Sequence, residues 1–529
     1  MKRFQGILAL LLAFLFPLAP VSFASTEALI QREPTGAFVP VVPVTDASTS
    51  SESVSNDLSQ ADASTTGFLS EGEQGPLSPP DSQESSAESD EVEIESNDPF
   101  FSSSGSWGQA YDDLYWLKRV RAPEAWSLAR GAGVTVAVID TGLDFNHIDI
   151  AANAWYNKAE LNGLPGVDDD GNGYVDDIKG WDFQNGDNNP QDDNGHGTHV
   201  AGIIGAVSDN LQGIAGVAPD SKILSVKVLD ASGRGYVQNV ISGIYYAVNL
   251  GAQVINMSLG VLKAALPKSL RTAFENAVNY AVSKGTVVAV AAGNSNANVA
   301  NYYPSGIPSA ITVGAIEPVT DNRAWFSNFG KLLDLVAPGV DVLSLRAGGT
   351  NFGSSSVVDP NYARASGTSM ASPIVAGVAA LLKSQDPTLT PSSLYQRLKF
   401  SATDLGAAGF DIYYGYGLVD AYKAITTDYY ATGQVKSEWV PNADGSGFTR
   451  RDYDSKGRLI TDIEEPVFEA PRLLPSPSFL VGNWYLISAF SSESEKEDEP
   501  PSLSEKQRKK THPFLHLPSD FSSRTQEGG

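Results

Sequence analysis

What most limits the fold open to this chain is an alternation of two patterns between residues 134 and 293. VTVAVID (134–140), KILSVKVLD (222–230), AQVINMSLG (252–260) and GTVVAVAAG (285–293) are short, apolar and rich in β-branched residues. Strands buried on both faces of a parallel sheet read this way. VQNVISGIYYAVNLG (237–251) and SLRTAFENAVNYAVSKG (269–285) have helical spacing, and each ends on a glycine suited to a left-handed C-cap. Strand, helix, strand, helix predicts an α/β fold, a doubly wound, mainly parallel sheet with helices on both faces. Sites in such folds form beyond the C-terminal strand ends. Asp140 falls at one such end and Asn294 at another.

Two helix starts add further candidates. His196 and His199 stand three apart in GHGTHVAG (195–202), so a helix puts both on one face. Alone, they read either as a metal-binding pair or as a catalytic base with a neighbour. Ser369 opens the small-residue helix of SGTSMASPIVAGVAALLKS (366–384), predicted from about Met370, with Pro373 near its first turn. Alone, a serine there reads as an N-cap.

Taken together, VIDTG (138–142), HGTHVAG (196–202) and GTSMASP (367–373) resemble the three active-site signatures of the subtilisin-like serine proteases, the subtilase family. The resemblance covers roughly residues 106–428, and the order Asp, His, Ser is the one that subtilisin itself shows. It implies a serine endopeptidase in which Ser369 is the nucleophile, His196 the general base, Asp140 the orienting carboxylate and Asn294 an oxyanion donor. It makes His199 a packed neighbour, since a zinc site would need a third ligand. Ser258, Leu259 and Gly260 match the family's substrate-pairing strand, with Gly233 and Gly235 on the opposing edge. An extended peptide would add between them as a β-strand. The loop 295–306, with Tyr302 and Tyr303, would wall the pocket.

VDDDGNGYVDDIKGWDF (167–183) sets Asp168, Asp170, Asn172, Asp176 and Asp177 along a glycine-containing loop. Hard oxygen ligands at this spacing suit structural Ca2+. The pattern resembles the start of an EF-hand loop, with Lys179 where the last glutamate would stand. The other reading is an acidic surface turn. The resemblance adds a second calcium site joining Asp149 to Asn210, although Ile148 replaces the usual proline. No cofactor is expected for catalysis.

The ends read differently. Residues 1–24 have the charged start, apolar run and small-residue cleavage site of a secretory signal peptide cut after Ala24. Residues 25–105 form an acidic, Ser-rich leader. Residues 25–100 hold sixteen acidic side chains against Arg32 alone, too polar to fold unaided. The leader is therefore expected to be a flexible spacer or removable piece, with a mature N-terminus between Asn97 and Tyr111. Residues 106–428 form the catalytic domain. Residues 429–478 carry two Tyr/Gly hairpin-like repeats about 24 residues apart, and 479–529 form a polar tail. A net charge of −26 argues against nucleic-acid partners, and the absence of cysteine excludes disulfides. The expectation is a secreted monomer that acts on peptides and has no membrane span once the signal is removed. The alternative is a catalytically silent extracellular protein that keeps the fold for calcium binding and surface interaction.

Overall fold

The predicted strands lie side by side in a computed structural model that describes residues 40–43, 96–442 and 447–466. A seven-stranded sheet runs in the order Leu335–Pro338, Ile311–Ile316, Val287–Ala291, Val254–Met257, Thr135–Asp140, Lys222–Lys227, Gly180–Asp182. Every pairing in it is parallel. The pleat sends alternate residues to opposite faces. Val136 and Val138 therefore join one core, with helices His196–Gly205 and Thr368–Gln385, while Ala137 and Ile139 join the other, with Val237–Asn249 and Lys268–Ser283. This is the predicted doubly wound architecture. After Thr135–Asp140 the chain goes to the edge strand Gly180–Asp182, returns to Lys222–Lys227 and then crosses to Val254–Met257 on the other side, so the strand order switches there and a crevice opens at the C-terminal end of Thr135–Asp140.

Helix Thr368–Gln385 starts two residues earlier than expected, which places Ser369 within its first turn and Pro373 inside the helix. On the C-terminal side, Thr427–Tyr429, Val435–Pro441, Gly447–Tyr453 and Leu459–Pro466 form a four-stranded antiparallel meander. Tyr429 stacks on Phe400 of helix Pro391–Ser401 at 5.7 Å, and Arg397 of that helix approaches Asp428 at 3.4 Å.

The leader requires a correction. Asp98 and Phe101 are buried and anchor the end of the region expected to be a flexible spacer, while residues 104–108, within the span expected to hold the mature N-terminus, are exposed. Further upstream, Pro40–Pro43 is a strand. The signal peptide, most of the leader and the polar tail lie outside the described residues. Chain contacts separate Met1–Ala470 from Pro471–Gly529, and the latter also lies outside them. Among the described residues no helix is long and apolar enough to cross a membrane.

Candidate active site

Asp140 ends its strand, and its Oδ1 receives the Thr141 N–H at 2.8 Å and faces His196 Nδ1 at 2.7 Å. Both side chains have no exposed surface. A carboxylate on Nδ1 fixes the tautomer in which Nδ1 carries the proton and Nε2 can accept one. His196 Nε2 is buried without a hydrogen-bond partner.

The turn into the histidine helix is held by Asp192, which the motif reading missed. Its Oδ1 accepts from Thr141 Oγ1 and Gly195 N, and its Oδ2 accepts from Thr198 N and Oγ1, all at 2.7–2.9 Å. Gly195 has φ 110°, and a Cβ there would meet Thr350 Oγ1 at 2.6 Å. Buried Lys227 braces the opposite side, donating to Thr141 O, Leu229 O and Asp193 Oδ1. The sequence signal for both was weak, a polar residue beside a motif.

His199 does not converge with His196 on a metal. Its Nε2 donates to Ala363 O at 3.1 Å. Burial, then the neighbouring His196, hold it down to about 3, so it is neutral. Phe352, on the segment between Val342–Leu345 and Val357–Asp359, sets its ring edge-on to both imidazoles, at 5.3 Å from His196 and 5.6 Å from His199.

Ser369 is buried, and its Oγ donates to Ser258 O at 3.3 Å. Ser258 Oγ donates to Ser369 O at 2.8 Å. Asn256 Nδ2 donates to Ser258 Oγ, and Ser372 Oγ to Asn256 Oδ1, which ties the central strand to the nucleophile helix. Asn294 Oδ1 accepts from both Thr368 N and Thr368 Oγ1 at 2.9 Å. Two donors on one oxygen orient the amide, so Thr368, also unforeseen, sets the direction of the Asn294 NH2 group.

Leu259 and Gly260 begin strand Leu259–Leu262, while Gly235 lies in Gly235–Tyr236 with Gly233 in the turn before it. The two segments form facing edges, with Pro40–Pro43 between them. A Cβ on Gly235 would lie 2.1 Å from Val228 O, so that edge tolerates only glycine there. Tyr303 is not a free pocket wall. It is buried, and its hydroxyl bonds Glu275.

In the acidic insert, Asp168 and Asp170 gather with buried Glu160, one ligand oxygen from each lying within 4.8 Å of the others. Glu160 was absent from the sequence reading because it lies on the preceding helix, Lys158–Leu161. Its Oε1 accepts from Asp169 N and Asp170 N, and its Oε2 from Asp176 N. Asn172 packs against the cluster, donating to both Asp168 and Asp170. The other two expected ligands carry hydrogen bonds of their own. Asp176 accepts from Gly166 N, and Asp177 from Tyr246 Oη, Asn157 and Asn172. At the second predicted site, Asn210 Nδ2 donates to Asp149 Oδ1 at 2.8 Å. Burial raises the Asp149 carboxyl to about 7. Asp98 accepts the backbone N–H groups of Asp209 and Asn210 beside it.

An α/β sheet that carries a buried Asp–His pair and a serine at a helix start, all at one end of its strands, defines a hydrolase of the serine-nucleophile class. The sequence profile described as the subtilase family matches residues 131–417. Thermitase of Thermoactinomyces vulgaris is 39% identical over 329 residues, covering 62% of this chain and 98% of thermitase. A thermophilic serine proteinase of Bacillus sp. (strain AK1) is 41% identical over 57% of this chain and 64% of its own length. Subtilisin BL of Lederbergia lenta is 39% identical over 58% of this chain and 97% of its own. The chain belongs to the subtilase family, and it is a serine endopeptidase.

Proposed function

We propose that this is a secreted, calcium-stabilised endopeptidase that cuts extended peptides through Ser369, His196 and Asp140. The observation that carries the assignment is the buried 2.7 Å Asp140–His196 contact, with His196 Nε2 left unpartnered. A serine hydroxyl needs an adjacent base to attack an amide. His196 takes the Ser369 proton as Oγ bonds to the substrate carbonyl carbon. Asp140 stabilises the imidazolium that results. Asn294 Nδ2, turned by Thr368, and the Ser369 N–H donate to the oxyanion. His196 then passes its proton to the leaving amine, and water releases the acyl group by the same steps in reverse. Ser258, Leu259 and Gly260 on one side and Gly233 and Gly235 on the other hold the substrate as an added strand.

Glu160, Asp168 and Asp170, with Asn172, fit a hard cation. Three carboxylates this close repel one another, and oxygen donors on glycine-rich backbone suit calcium. Bound Ca2+ would supply stability, because an ion that binds only the folded state shifts unfolding by mass action. Asp149, Asn210 and Asp98 offer a second, all-oxygen set. Export rests on the signal-like residues 1–24.

A serine-directed phosphonate should attach to Ser369 in the active enzyme, as read by peptide mass mapping. Ser369→Ala and His196→Ala should each abolish turnover, and the double variant should be barely worse, because the residues act as a unit. Near-normal turnover in Ser369→Ala would overturn the assignment.

A further inference from the structure

The segment between strands Val342–Leu345 and Tyr362–Ala365 belongs to neither edge of the cleft, yet it reaches the buried histidine. Phe352 lies on it. The centroid of its ring is 5.3 Å from that of His196, at an interplanar angle of 87°, and 5.6 Å from that of His199, at 70°. The two imidazoles project from one face of their helix, and the phenyl ring stands edge-on to both. The far side of this nest is fixed. His199 Nε2 donates to Ala363 O, on the strand that leads to the nucleophile helix. Burial keeps His199 neutral, so no charge on it opposes a positive His196.

The backbone nearby makes room for the ring. Phe352 N donates to Asn194 O at a long 3.4 Å, so the segment crosses the turn that starts the histidine helix. A Cβ on Gly195 would meet Phe352 Cβ at 2.8 Å as well as the hydroxyl of Thr350. Glycine is therefore required there by the passage of this segment, and not only by its positive φ. The segment is tied down on both flanks of Phe352. Gly348 N donates to Asp144 Oδ2 at 3.0 Å, Thr350 Oγ1 to Ala347 O at 2.8 Å, and Ser356 N to Gly353 O at 3.0 Å. Thr350 is buried and Phe352 half-buried.

We propose that Phe352 is a positioning residue for the base: it holds the His196 imidazole in the orientation that the Asp140 contact alone leaves under-determined. This rests on His196 being the general base. Asp140 Oδ1 fixes one atom, Nδ1, of a ring carried on two rotatable bonds. About that point the ring can still tilt, and Nε2 moves with it. The base must present Nε2 twice, first to the Ser369 hydroxyl and then to the leaving amine, which occupy different places. Misplacing a reacting group by about 1 Å costs on the order of a hundredfold in rate, so a loose imidazole loses at both steps. A phenyl ring packed against the imidazole removes the tilt and leaves Nε2 free to work. Edge-to-face contact is a preferred arrangement of aromatic rings.

The test compares two substrates with the same acyl group, a peptide amide and a nitrophenyl ester. The amide needs His196 both to take the Ser369 proton and to return it to the amine, whereas nitrophenolate departs without a proton. Phe352→Ala should lower kcat on the amide about thirtyfold with KM changed by less than about twofold, and lower kcat/KM on the ester only about threefold. Phe352→Leu restores bulk beside the imidazole and should bring amide turnover back to within about threefold of wild type. Titration of active sites with the phosphonate puts every rate on a per-site basis, so a misfolded fraction does not count. Equal losses on amide and ester, a change in KM alone, unaltered amide turnover in Phe352→Ala, or a Phe352→Leu as slow as Phe352→Ala would each overturn the positioning role. His196→Ala should lose both substrates. If it kept them, the fault would lie with His196 as the base.

Discussion

At the nucleophile, a proline four residues along the helix decides what else must be present. Pro373 has no N–H for the carbonyl of Ser369, and Ser258 Oγ supplies the missing donor at 2.8 Å. Ser258 thus satisfies a buried carbonyl as well as lining the cleft. Ser258→Ala should cost about 1–3 kcal/mol of unfolding free energy, the penalty for an orphaned buried acceptor. An unchanged urea midpoint would show that the carbonyl finds another donor. His199 yields a pH prediction. It is held neutral, down to about 3 against an ordinary 6.5. Between those values the unfolded chain takes up a proton that the folded chain refuses. The stability is therefore complete above pH 6.5 and is lost as pH falls toward 3. His199→Gln keeps a donor for Ala363 O without titrating, so its stability should fall less steeply with acid across that window. Parallel curves for the two proteins would refute this.

Among the elements, the sheet and its paired helices were legible because periods of 2 and 3.6 are local properties of sequence. The Tyr/Gly repeat was legible too, and the structure gives its physical meaning. Tyr430 N donates to Gln434 O and Gly433 N to Tyr430 O. Twenty-four residues on, Asp454 N donates to Arg458 O and Gly457 N to Asp454 O. The repeat is one hairpin turn used twice. What escaped the sequence were side chains that act across elements: Asp192 clamping the histidine turn, Thr368 orienting Asn294, and Glu160 reaching into the acidic insert from another helix. No short motif contains both partners of such contacts. The insert provides a test at this scale. Glu160 accepts three backbone N–H groups and faces Asp168 and Asp170. Glu160→Gln should lower the melting temperature and shrink the further drop caused by a calcium chelator. If chelator shifts wild type and variant equally, Glu160 is no part of a calcium site. If chelator moves neither, the insert is a turn held by its own hydrogen bonds.

For the molecule as a whole, the stretch before the first long strand closes the body, although its composition suggested a loose linker. Its serines mislead for a physical reason: they serve as donors to a buried acid. Asp113 accepts from Ser103 Oγ, Ser106 N and Oγ, and Gln109 Nε2, and pairs with Arg364 Nη2 at 2.5 Å. Burial alone would push the Asp113 carboxyl up. The donors from Ser103, Ser106 and Gln109 outweigh that and hold it below the usual range. Arg364 is itself buried, on the strand that leads to the nucleophile helix. The arm thus bonds, through one charge pair, to the segment just upstream of Ser369. Asp113→Ala leaves buried Arg364 with only its longer carboxylate contact, to Asp341 at 3.4 Å, and so should cost up to about 3–5 kcal/mol of stability. Replacing both, as Asp113→Leu with Arg364→Met, should cost less than the single change, because both fully buried charges are gone and Asp341, partly exposed, keeps the bond from Tyr111 Oη. Denaturant unfolding of the three proteins decides the matter. A double variant worse than Asp113→Ala would mean that the arm is held by its packing, through Phe101 and its neighbours, and that the ion pair adds little.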